Sequence, residues 1–557
     1  MNMKAVLFEF GITAAAVTPA LADRPNVLLI IADDQNIDTV GCYGSPVETP
    51  WIDELAKNGV RFSNANVVHT ICSPSRYAIL TGRYYDNSYG EEFLAQYPRG
   101  AASCVNNDME VEDDGMNLAS LLKTNGYYTG YVGKYHLTGT RYLSSQNNWD
   151  EVGLHKYSKD ADPRKDKAVN EKIKANHDWW CEQVKKDGFD YAAAIYPANL
   201  RESFNDYLNA HNVEWTADAA VRFLKERKGK TEPFFLCMAT TYPHGPAPHA
   251  VRNGKFNSAM DADVKLTGEG YVTDRDLSYA LAGTTREKSA AMYGRSDLNE
   301  KAPPARWWDG AVGAVLEALK ESGQYDNTLV IYISDHGTMD GGKSTLYESG
   351  SNIPLIMQWP AKGVSGKVYD HIVGSIDLVP TIFEACGIQA PEKYNMDGRS
   401  LLPAVKGNSA PVRDALFIAM GYAYGIKTDD WKYIAIRYPE DVEKMIQRGE
   451  RSSSWRGPGD KENPPQPYLI GHRQLAKKSS EARPNYFMRN QLYNLKDDPD
   501  EKNNLFAKLP EKGTEMQKLL DRELTERLPH RRFGEFGVLK NPELFAPVSK
   551  AGFFPER

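Results

Sequence analysis

Residues 26–34 of the chain, NVLLIIADD, combine an unbroken apolar run with two carboxylates at its end. A short continuous apolar run rich in branched residues is typical of a strand that is buried on both faces. Such strands belong to parallel sheets covered by helices, and these sheets bind ligands beyond the carboxyl ends of their strands. The run therefore predicts an α/β fold with Asp33 and Asp34 at the functional edge of the sheet.

Outward from this run, further apolar segments alternate with helical patterns over the first two thirds of the chain. The predicted strands cover 26–32, 127–132, 234–240 and 329–334, and the predicted helices cover 50–58, 118–124 and 311–321. This alternation predicts a large mixed, mostly parallel sheet sandwiched by helices.

Two long polar segments, residues 140–204 and 245–306, interrupt the alternation. We interpret them as surface loops or subdomains that shape a site. Six aromatic residues lie in or beside them: Trp179, Trp180, Tyr191, Tyr196, Trp307 and Trp308. Their rings either stack on a sugar or pack the insertions onto the core, and the sequence leaves both options open.

After about residue 404 the pattern changes to shorter strands. Residues 431–436 and 491–495 predict strands of a small antiparallel sheet, 448–468 a long loop, and 514–527 a helix. The sequence therefore predicts three parts: a signal peptide at 1–22, the main domain at 23–404, and an α+β subdomain with an irregular tail at 405–557.

The first residues have the features of a secretory signal peptide. Lys4 precedes an apolar stretch, and residues 20–22, Ala-Leu-Ala, resemble a small-residue cleavage site before Asp23. We therefore expect an exported protein, periplasmic or secreted. The stretch is too short and too polar to span a bilayer, and no later segment does better.

A net charge of −7 and a pI of about 6.0 argue against binding of nucleic acid by bulk electrostatics.

The chain has six cysteines, too few for a disulfide scaffold, and no Cys-x-x-Cys spacing that suggests zinc. Cys237 lies in an apolar strand and Cys386 near a helix end, so both are expected to be core residues. If Cys72 is reserved for chemistry, at least one of the remaining cysteines stays unpaired.

The stretch 72–76, CSPSR, followed by Thr81 and Gly82, predicts a helix that starts at a thiol. Pro74 suits the first turn of a helix, and Gly82 suits its end. The free N–H groups at a helix N-terminus favour a tetrahedral anion. Arg76 lies one turn from Cys72, where a guanidinium can grip a nucleophile or an anionic oxygen. A lone cysteine is more often structural, so the interpretation depends on the rest of the chain.

Four predicted strands end in polar residues. The acidic ends supply Asp33, Asp34 and Asp335, with His336 beside them, and hard carboxylate oxygens of this kind suit a divalent cation. Calcium accepts looser geometry than magnesium, and zinc is less favoured because its imidazole-rich or thiolate-rich ligand sets are missing. Asp335 and His336 are alternatively only the start of a turn into Gly337.

The other ends supply nitrogen donors that suit an anionic pocket. These donors, together with the helix arginine and a loop lysine, are Arg76, Lys134, His136, His244 and Lys343. Cationic donors fixed around a developing negative charge are a large catalytic effect, each worth ~10²–10³ in rate.

These motifs resemble those of the type I, formylglycine-dependent sulfatases of the alkaline-phosphatase-like superfamily, over essentially the whole chain after the signal. The first match is the highly specific signature at 72–76 with Thr81 and Gly82 behind it. The others are 133–136 (GKYH), 334–337 (SDHG), 342–348 (GKSTLYE) and 494–505 (NLKDDPDEKNNL). Tyr135 is a mild departure, because the family usually carries Trp there. The resemblance implies that 23–404 is the catalytic domain.

The resemblance implies that Cys72 is oxidised to 3-oxoalanine (formylglycine) by a formylglycine-generating maturase, and that its hydrate is the nucleophile. A geminal diol can accept sulfate and then expel it by collapsing to the aldehyde, whereas a thiol would form a stable thiosulfate. The metal ligands carried over are those of Ca²⁺ or, alternatively, Mg²⁺: Asp33, Asp34, Cys72, Asp335 and His336.

The same carry-over assigns catalytic roles to the nitrogen donors. Arg76 and Lys134 hold the nucleophile and the sulfate oxygens, and His136 takes the second diol proton. His244 and Lys343 bind sulfate and protonate the leaving oxygen. The implied enzyme is a sulfuric ester hydrolase, with a sulfated sugar or polysaccharide as the first substrate hypothesis. Two alternatives remain open: a phosphate or phosphonate monoester hydrolase on the same scaffold, and a non-catalytic glycan-binding relative.

Overall fold

The computed structural model describes most of the chain between residues 24 and 539. The described residues are 24–96, 109–138, 146–200, 210–245, 251–252, 256–257, 260, 262–293, 295, 297, 302–337, 342–437, 444, 448, 482–527, 533–534 and 538–539. The predicted signal peptide, Cys104 and most of the predicted loop at 448–468 lie outside these residues. Within them, no helix is long and apolar enough to cross a membrane.

The strands of the described residues alternate with helices through the first part of the chain and then follow one another. In chain order they are β1 (Asn26–Ala32), β2 (Val60–Phe62), β3 (Ala65–Asn66), β4 (Tyr128–Lys134), β5 (Tyr191–Tyr196), β6 (Phe234–Ala239), β7 (Val251–Arg252), β8 (Phe256–Asn257), β9 (Thr328–Ser334), β10 (Leu355–Gln358), β11 (Lys367–Tyr369), β12 (Val373–Gly374), β13 (Leu416–Met420), β14 (Ala423–Lys427), β15 (Trp431–Ile436), β16 (Asn490–Asn494), β17 (Phe533–Gly534) and β18 (Val538–Leu539).

The helices fill the intervals between these strands. In chain order they are α1 (Pro50–Lys57), α2 (Cys72–Thr81), α3 (Glu91–Gln96), α4 (Leu118–Thr124), α5 (Trp149–Val152), α6 (Lys167–Lys186), α7 (Val213–Arg227), α8 (Arg286–Ala290), α9 (Ala302–Glu321), α10 (Glu348–Ser351), α11 (Leu378–Ala385), α12 (Leu402–Val405) and α13 (Pro510–Arg527). Short 3₁₀ turns occupy Ile37–Thr39, Gly41–Tyr43, Tyr85–Asn87 and Ser375–Asp377.

Within the described part of the chain, eight strands form the central sheet, in the order β11-β2-β10-β9-β1-β6-β4-β5. All neighbours from β9 to β5 pair in parallel, and β10 pairs antiparallel with both β9 and β2. The predicted mixed, mostly parallel sheet is thus confirmed. The carboxyl ends of β1, β4, β6 and β9 meet at one edge because these four strands are parallel neighbours.

Both faces of the sheet are covered. Along β1, Val27, Leu29 and Ile31 pack into one apolar cluster, while Leu28 and Ile30 pack into a second cluster on the opposite face. Side chains of a strand alternate between faces, so a strand buried on both sides must be apolar throughout. This is the reason for the unbroken run NVLLIIA.

The first polar segment, 140–204, is only partly an insertion. Strand β5 lies at the edge of the central sheet and pairs in parallel with β4, and the twenty-residue helix α6 precedes it. The interpretation of 140–204 as loops or a subdomain is therefore wrong for these two elements. The alanine-rich sequence YAAAIY is half-buried at its start, so it lacks the apolar run that marks the inner strands.

The aromatic residues beside the polar segments pack into the core. Trp180, Tyr196, Trp307 and Trp308 are at most 4% exposed, and Trp307 donates from Nε1 to Glu214 at 3.0 Å. Of the two options left open by the sequence, packing onto the core is confirmed for these four rings, which are inaccessible to a sugar.

A second, four-stranded antiparallel sheet in the order β13-β14-β15-β16 follows the main domain, as predicted. Its residues Phe417, Tyr433 and Leu492 share one apolar cluster with Leu29 and Ile31 of the central sheet. The two sheets are therefore joined by a common core. The division of the chain at residues 404 and 405 stays a prediction.

Candidate active site

Helix α2 presents Cys72 at its first position, as the sequence predicts. Cys72 is 1% exposed. The helix ends at Gly82, which adopts φ of 63° and donates its N–H to the carbonyl of Ala78 at 2.8 Å. A left-handed residue at a helix end favours glycine, which explains the Thr-Gly pair behind the motif.

Acidic side chains from the ends of β1 and β9 surround the thiol. Asp33 Oδ1 lies 3.7 Å from Cys72 Sγ, and His336 Nε2 lies 3.2 Å from it. Asp335 Oδ1 accepts the backbone N–H of Asp34 at 3.2 Å, which joins the two strand ends. Donor atoms of Asp33, Cys72, Asp335 and His336 all lie within 4.8 Å of one another.

The third carboxylate, Asp34, faces the same space from the other side. Its Oδ1 lies 3.0 Å from His336 Nδ1 and 2.9 Å from Lys343 Nζ. Its Oδ2 is buried and has no hydrogen-bond partner among the described residues, and His244 Nε2 lies 3.8 Å from it. Asp34 has φ of 61°, and a strained backbone of this kind at a non-glycine residue is typical of functional sites.

The donor set fits a hard divalent cation. Three buried carboxylates and one imidazole converge, and in the described part of the chain one carboxylate oxygen, Asp34 Oδ2, has no hydrogen-bond partner. Calcium and magnesium prefer oxygen ligands of this kind. A second group of possible ligands, with Asp34 and His244, shares Asp33 and Cys72 with the first, so both groups describe one site.

Two lysines approach the thiol from different elements. Lys343 Nζ lies 3.2 Å from Cys72 Sγ. Lys134, at the end of β4, pairs through Nζ with Asp33 Oδ2 and donates to Asn199 Oδ1 at 2.7 Å. Both lysines are at most 4% exposed, so their charges act at short range in a site with little water.

Arg76 braces the site from within helix α2. Its Nε donates to Asp335 Oδ2 at 2.9 Å, and its Nη1 donates to the carbonyl of Lys134 at 2.6 Å. Its Nη2 lies 3.5 Å from Asp33 Oδ2. The guanidinium therefore holds the ends of β1, β4 and β9 at fixed positions around the helix start.

His136 follows β4 and is 2% exposed, with φ of 59°. Its side chain helps to lower the pKa of Cys72. The backbone path to His136 depends on Gly133, at φ of 93°, because a Cβ there would lie 1.7 Å from the carbonyl oxygen of Ala239. Only glycine permits this approach, which accounts for the first residue of the GKYH motif.

Electrostatics in the site favour anions at residue 72. Burial opposes ionisation of the Cys72 thiol, but Lys134, Lys343 and His336 outweigh it and hold the pKa of the thiol well below its ordinary value. Burial likewise opposes ionisation of Asp33, yet Lys134, His244 and Arg76 keep its pKa below the usual range. A group bonded to residue 72 therefore meets a strongly cationic surface on one side.

The pKa values of three other titratable side chains in the site also depend on their neighbours. Burial and the adjacent Asp33 raise the pKa of Asp335 to about 6. Burial works against the imidazolium of His336, but Asp335, Cys72 and Asp34 outweigh it and raise the pKa to about 9. Burial and Lys343 oppose the charged form of His244, and Asp34 and Asp33 raise its pKa above the ordinary value.

Three further contacts of the site are absent from the sequence prediction. Thr70 Oγ1 donates to the carbonyl of Thr345 at 2.7 Å, and Ser75 Oγ donates to the carbonyl of Asp335. Asn199 accepts from Lys134. Ser75 lies inside the CSPSR motif, so its position there is a usable signal, whereas no local pattern marks Thr70 or Asn199.

Tyr135, the departure within GKYH, is fully buried and donates from its hydroxyl to Asp187 Oδ2. Burial raises the pKa of Asp187 to about 7. The tyrosine therefore fills a position beside the site rather than inside it, and its hydroxyl is satisfied by this carboxyl.

Comparison with known proteins agrees with this geometry. The family model described as sulfatase matches residues 25–388, and that of the C-terminal part of N-sulphoglucosamine sulphohydrolase matches residues 334–451. The ulvan-active sulfatase of Formosa agariphila is 26% identical over 74% of this chain, and the match covers 62% of that relative, less than two thirds of its length.

Two other relatives match over most of their length. The N-acetylglucosamine-6-O-sulfatase of Bacteroides thetaiotaomicron is 24% identical over 87% of this chain and 89% of its own. The crystal structure of Ps i-CgsB in complex with k-i-k-neocarrahexaose has a TM-score of 0.57 at 22% identity, over 96% of this chain and 100% of that one. The first family model alone spans more than half of the chain, and the protein therefore belongs to the sulfatase family.

Proposed function

We propose that the protein is a sulfuric ester hydrolase that removes sulfate from a sulfated carbohydrate. One observation carries the proposal: the side chain of Cys72 starts a helix with Lys343 Nζ and His336 Nε2 both at 3.2 Å from its sulfur and Asp33 Oδ1 at 3.7 Å. A nucleophile, cationic donors and a carboxylate-lined cation site in one buried place suit transfer of a tetrahedral anion.

We infer that Cys72 is converted to formylglycine before catalysis, by a maturase enzyme. The converted residue, as its hydrate, supplies a hydroxyl that attacks sulfur, and the second hydroxyl allows sulfate to leave as the aldehyde re-forms. The polar surroundings of Sγ support this role, because Lys343, His336 and His136 can each hydrogen-bond a hydroxyl in its place.

His136, Arg76 and Lys134 lie near residue 72, and we assign them roles at its two hydroxyl groups. His136 lies on the side of β4, and we assign it the proton of the second hydroxyl. Arg76 and Lys134 orient Asp33 and the strand ends, and we assign to both the holding of the nucleophile and the sulfate oxygens. The cationic side chains of Arg76 and Lys134 favour the deprotonated form of the attacking hydroxyl, and His136 removes the proton of the second hydroxyl when sulfate leaves and the aldehyde re-forms.

The residues that we assign to the leaving alcohol oxygen lie beside Asp34. Lys343 Nζ and His244 Nε2 both contact Asp34, at 2.9 and 3.8 Å. His244 is partly exposed, at 15% of its side chain, whereas the other site residues are buried. We assign to His244 and Lys343 the binding of sulfate oxygens and the protonation of the leaving oxygen, because His244 is the partly exposed residue and Lys343 reaches the same carboxylate, Asp34.

The residues that would hold the cation are Asp33, Asp34, Asp335 and His336 together with residue 72. A bound Ca²⁺, or alternatively Mg²⁺, would polarise the reacting oxygens and neutralise charge that develops on them. We prefer Ca²⁺ because a shell of several carboxylates with an imidazole is looser than the octahedron that magnesium demands.

A carbohydrate substrate is supported by the relatives, two of which are named for ulvan and for N-acetylglucosamine-6-O-sulfate. The aromatic rings Trp307 and Trp308 give no support, since both are fully buried. Export is supported by the signal-like residues 1–22 and fits a polysaccharide substrate outside the cell.

The conversion is tested by mass spectrometry of the peptide that contains residue 72, using protein from its native host. We expect the mass of the aldehyde or its hydrate, and an intact thiol in fully active protein would contradict the mechanism. N-terminal sequencing of the exported protein tests cleavage after Ala22.

The activity is tested by sulfate release from defined sulfated oligosaccharides, with 4-nitrophenyl sulfate and 4-nitrophenyl phosphate as artificial esters. We expect release from at least one sulfated sugar and faster turnover of the sulfate than of the phosphate. Preference for the phosphate would favour a phosphomonoesterase, and reaction only with aryl sulfates would contradict the carbohydrate substrate.

A further inference from the structure

Four charged side chains, three of them buried and that of Glu348 18% exposed, connect the segment that carries Lys343 to the C-terminal sheet. Lys427 Nζ lies 2.7 Å from Glu348 Oε2, and Lys432 Nζ lies 2.6 Å from Glu348 Oε1 and 3.0 Å from Glu501 Oε1. The lysine side chains are 1% exposed and that of Glu501 is 0% exposed. Two acids and two bases balance in charge, and we call this set the four-charge cluster.

The four-charge cluster also holds the backbone of the segment. Glu501 Oε2 accepts the N–H of Glu348 at 2.5 Å. Lys432 Nζ donates to the carbonyl of Leu346 at 2.8 Å. Both contacts fall within a few residues of Lys343, so β15 and the turn after β16 fix where the segment 342–348 lies.

Segment 342–348 is also hydrogen-bonded to Thr70, two residues before Cys72. The N–H of Ser344 donates to the carbonyl of Thr70 at 3.1 Å, and Thr70 Oγ1 donates to the carbonyl of Thr345 at 2.7 Å. Ser344 has φ of 65°, a left-handed conformation that a serine keeps only when its surroundings impose it. Lys343 is thus held between Thr70 and the four-charge cluster.

Stability alone is a weak reason for such a cluster. Replacing buried ion pairs with apolar side chains is often neutral or stabilising, whereas fixed charges with several partners specify a single geometry. Here the geometry specified is the reach of Lys343 Nζ to Cys72 and Asp34, at 3.2 and 2.9 Å.

We propose that Glu501, acting with Lys432 and Glu348, is a positioning residue that aims Lys343 at the leaving oxygen. The inference rests on the role proposed above for Lys343. The C-terminal sheet would then contribute to catalysis by positioning Lys343. The contact of Glu348 with Glu501 also gives a physical reason for the sequence runs 342–348 and 494–505.

The primary test is Glu501→Gln, measured with aryl sulfates from 4-nitrophenyl sulfate to phenyl sulfate. Phenolate is the poorer leaving group and depends more on protonation, so a displaced Lys343 costs more on phenyl sulfate. We expect kcat to fall roughly tenfold or more for phenyl sulfate and clearly less for 4-nitrophenyl sulfate, with KM changing little.

A double-mutant cycle separates positioning from general damage. In a Lys343→Met background, Glu501→Gln should lower kcat no further, because the group it positions is gone. A second variant, Tyr347→Phe, removes the hydrogen bond from the Tyr347 hydroxyl to Gln491 Oε1, 2.9 Å long, and should give a smaller loss of the same kind. It keeps the test valid if Glu501→Gln folds poorly.

The matched control is Asp218→Asn, which also neutralises a fully buried carboxylate with two cationic partners, Arg222 and Arg275. It should lower the melting temperature without changing the dependence of kcat on the leaving group. Equal losses of kcat on all esters in Glu501→Gln, or an undiminished loss in the Lys343→Met background, would overturn the proposal.

Failure of the proposed function gives a different result. A wild-type protein with converted residue 72 that hydrolyses no sulfate ester contradicts the function, and the positioning is then decided by crystallography of Glu501→Gln. The positioning role of Glu501 is supported if segment 342–348 moves away from Thr70 in this variant and Lys343 Nζ leaves hydrogen-bond distance of Asp34. An unmoved segment overturns it.

Discussion

The ammonium of Lys343 lies 3.2 Å from the sulfur of Cys72, although 271 residues separate them in the chain. Lys343→Met keeps much of the side-chain volume and removes this cation. We expect kcat for sulfate esters to fall by ~10²–10³, because a donor to the transferred group is lost. The variant should remain folded by circular dichroism. Lys496→Met, at a lysine 71% exposed, serves as the control and should keep full activity.

The second prediction concerns residue 72 itself. Protein produced without a maturase keeps the thiol, and we expect it to be folded, to bind the cation and to have almost no turnover. Conversion in vitro with a formylglycine-generating enzyme should restore activity in proportion to the fraction of aldehyde found by mass spectrometry. Cys72→Ala cannot be restored in this way, and measurable activity in that variant would refute residue 72 as the nucleophile.

The third prediction concerns the cation. We expect Ca²⁺ to bind the folded protein and not the unfolded chain, so it should raise the melting temperature, and a concentration 100-fold above Kd adds ~2.7 kcal/mol. EDTA should reverse this shift and abolish turnover. Asp335→Asn should lose most of the Ca²⁺-dependent shift, whereas Asp150→Asn, at a carboxylate 74% exposed, should keep it. A shift of equal size in Asp335→Asn would argue against the proposed ligands.

The long central strands β1, β6 and β9 were predictable because their sequences carry the signal locally. The run NVLLIIA is apolar throughout, since both of its faces are buried, and the strands at 234–239 and 328–334 share this property. Strand β5 carries no such signal, because its first half is only half-buried and its alanines add little hydrophobicity. The sequence patterns also miss β2 and β10, which lie inside the sheet, because runs of three and four residues are too short to carry a clear pattern.

The residues of the site also fall into a group that the sequence predicts and a group that it does not. Asp33, Lys134 and Asp335 each stand at a strand end, so parallel strand order alone brings them to one edge. Thr70 reaches Thr345 across 275 residues, and Glu348 reaches Glu501 across 153. Contacts at such separations arise from the packing of finished elements and leave no periodic trace in the sequence.

The last prediction concerns pH and a group outside the site. Glu269 is 4% exposed, and its Oε1 has no hydrogen-bond partner in the described part of the chain. Burial raises the pKa of Glu269 to about 8 from 4.5. Because the folded-state pKa is the higher one, this group stabilises the fold fully below pH 4.5, and the contribution is lost as the pH rises through about 8.

Glu269→Gln removes this dependence, because an amide cannot ionise. Each pKa unit corresponds to ~1.4 kcal/mol, so the ionised carboxylate costs up to a few kcal/mol at alkaline pH. We expect thermal denaturation at pH 5 and pH 9 to show a smaller difference in melting temperature for Glu269→Gln than for the wild type, with the variant more stable at pH 9. Glu171→Gln, at a glutamate whose side chain is 68% exposed, should behave as the wild type at both values. An unchanged difference in Glu269→Gln would mean that water or a partner group already satisfies the charged form of Glu269.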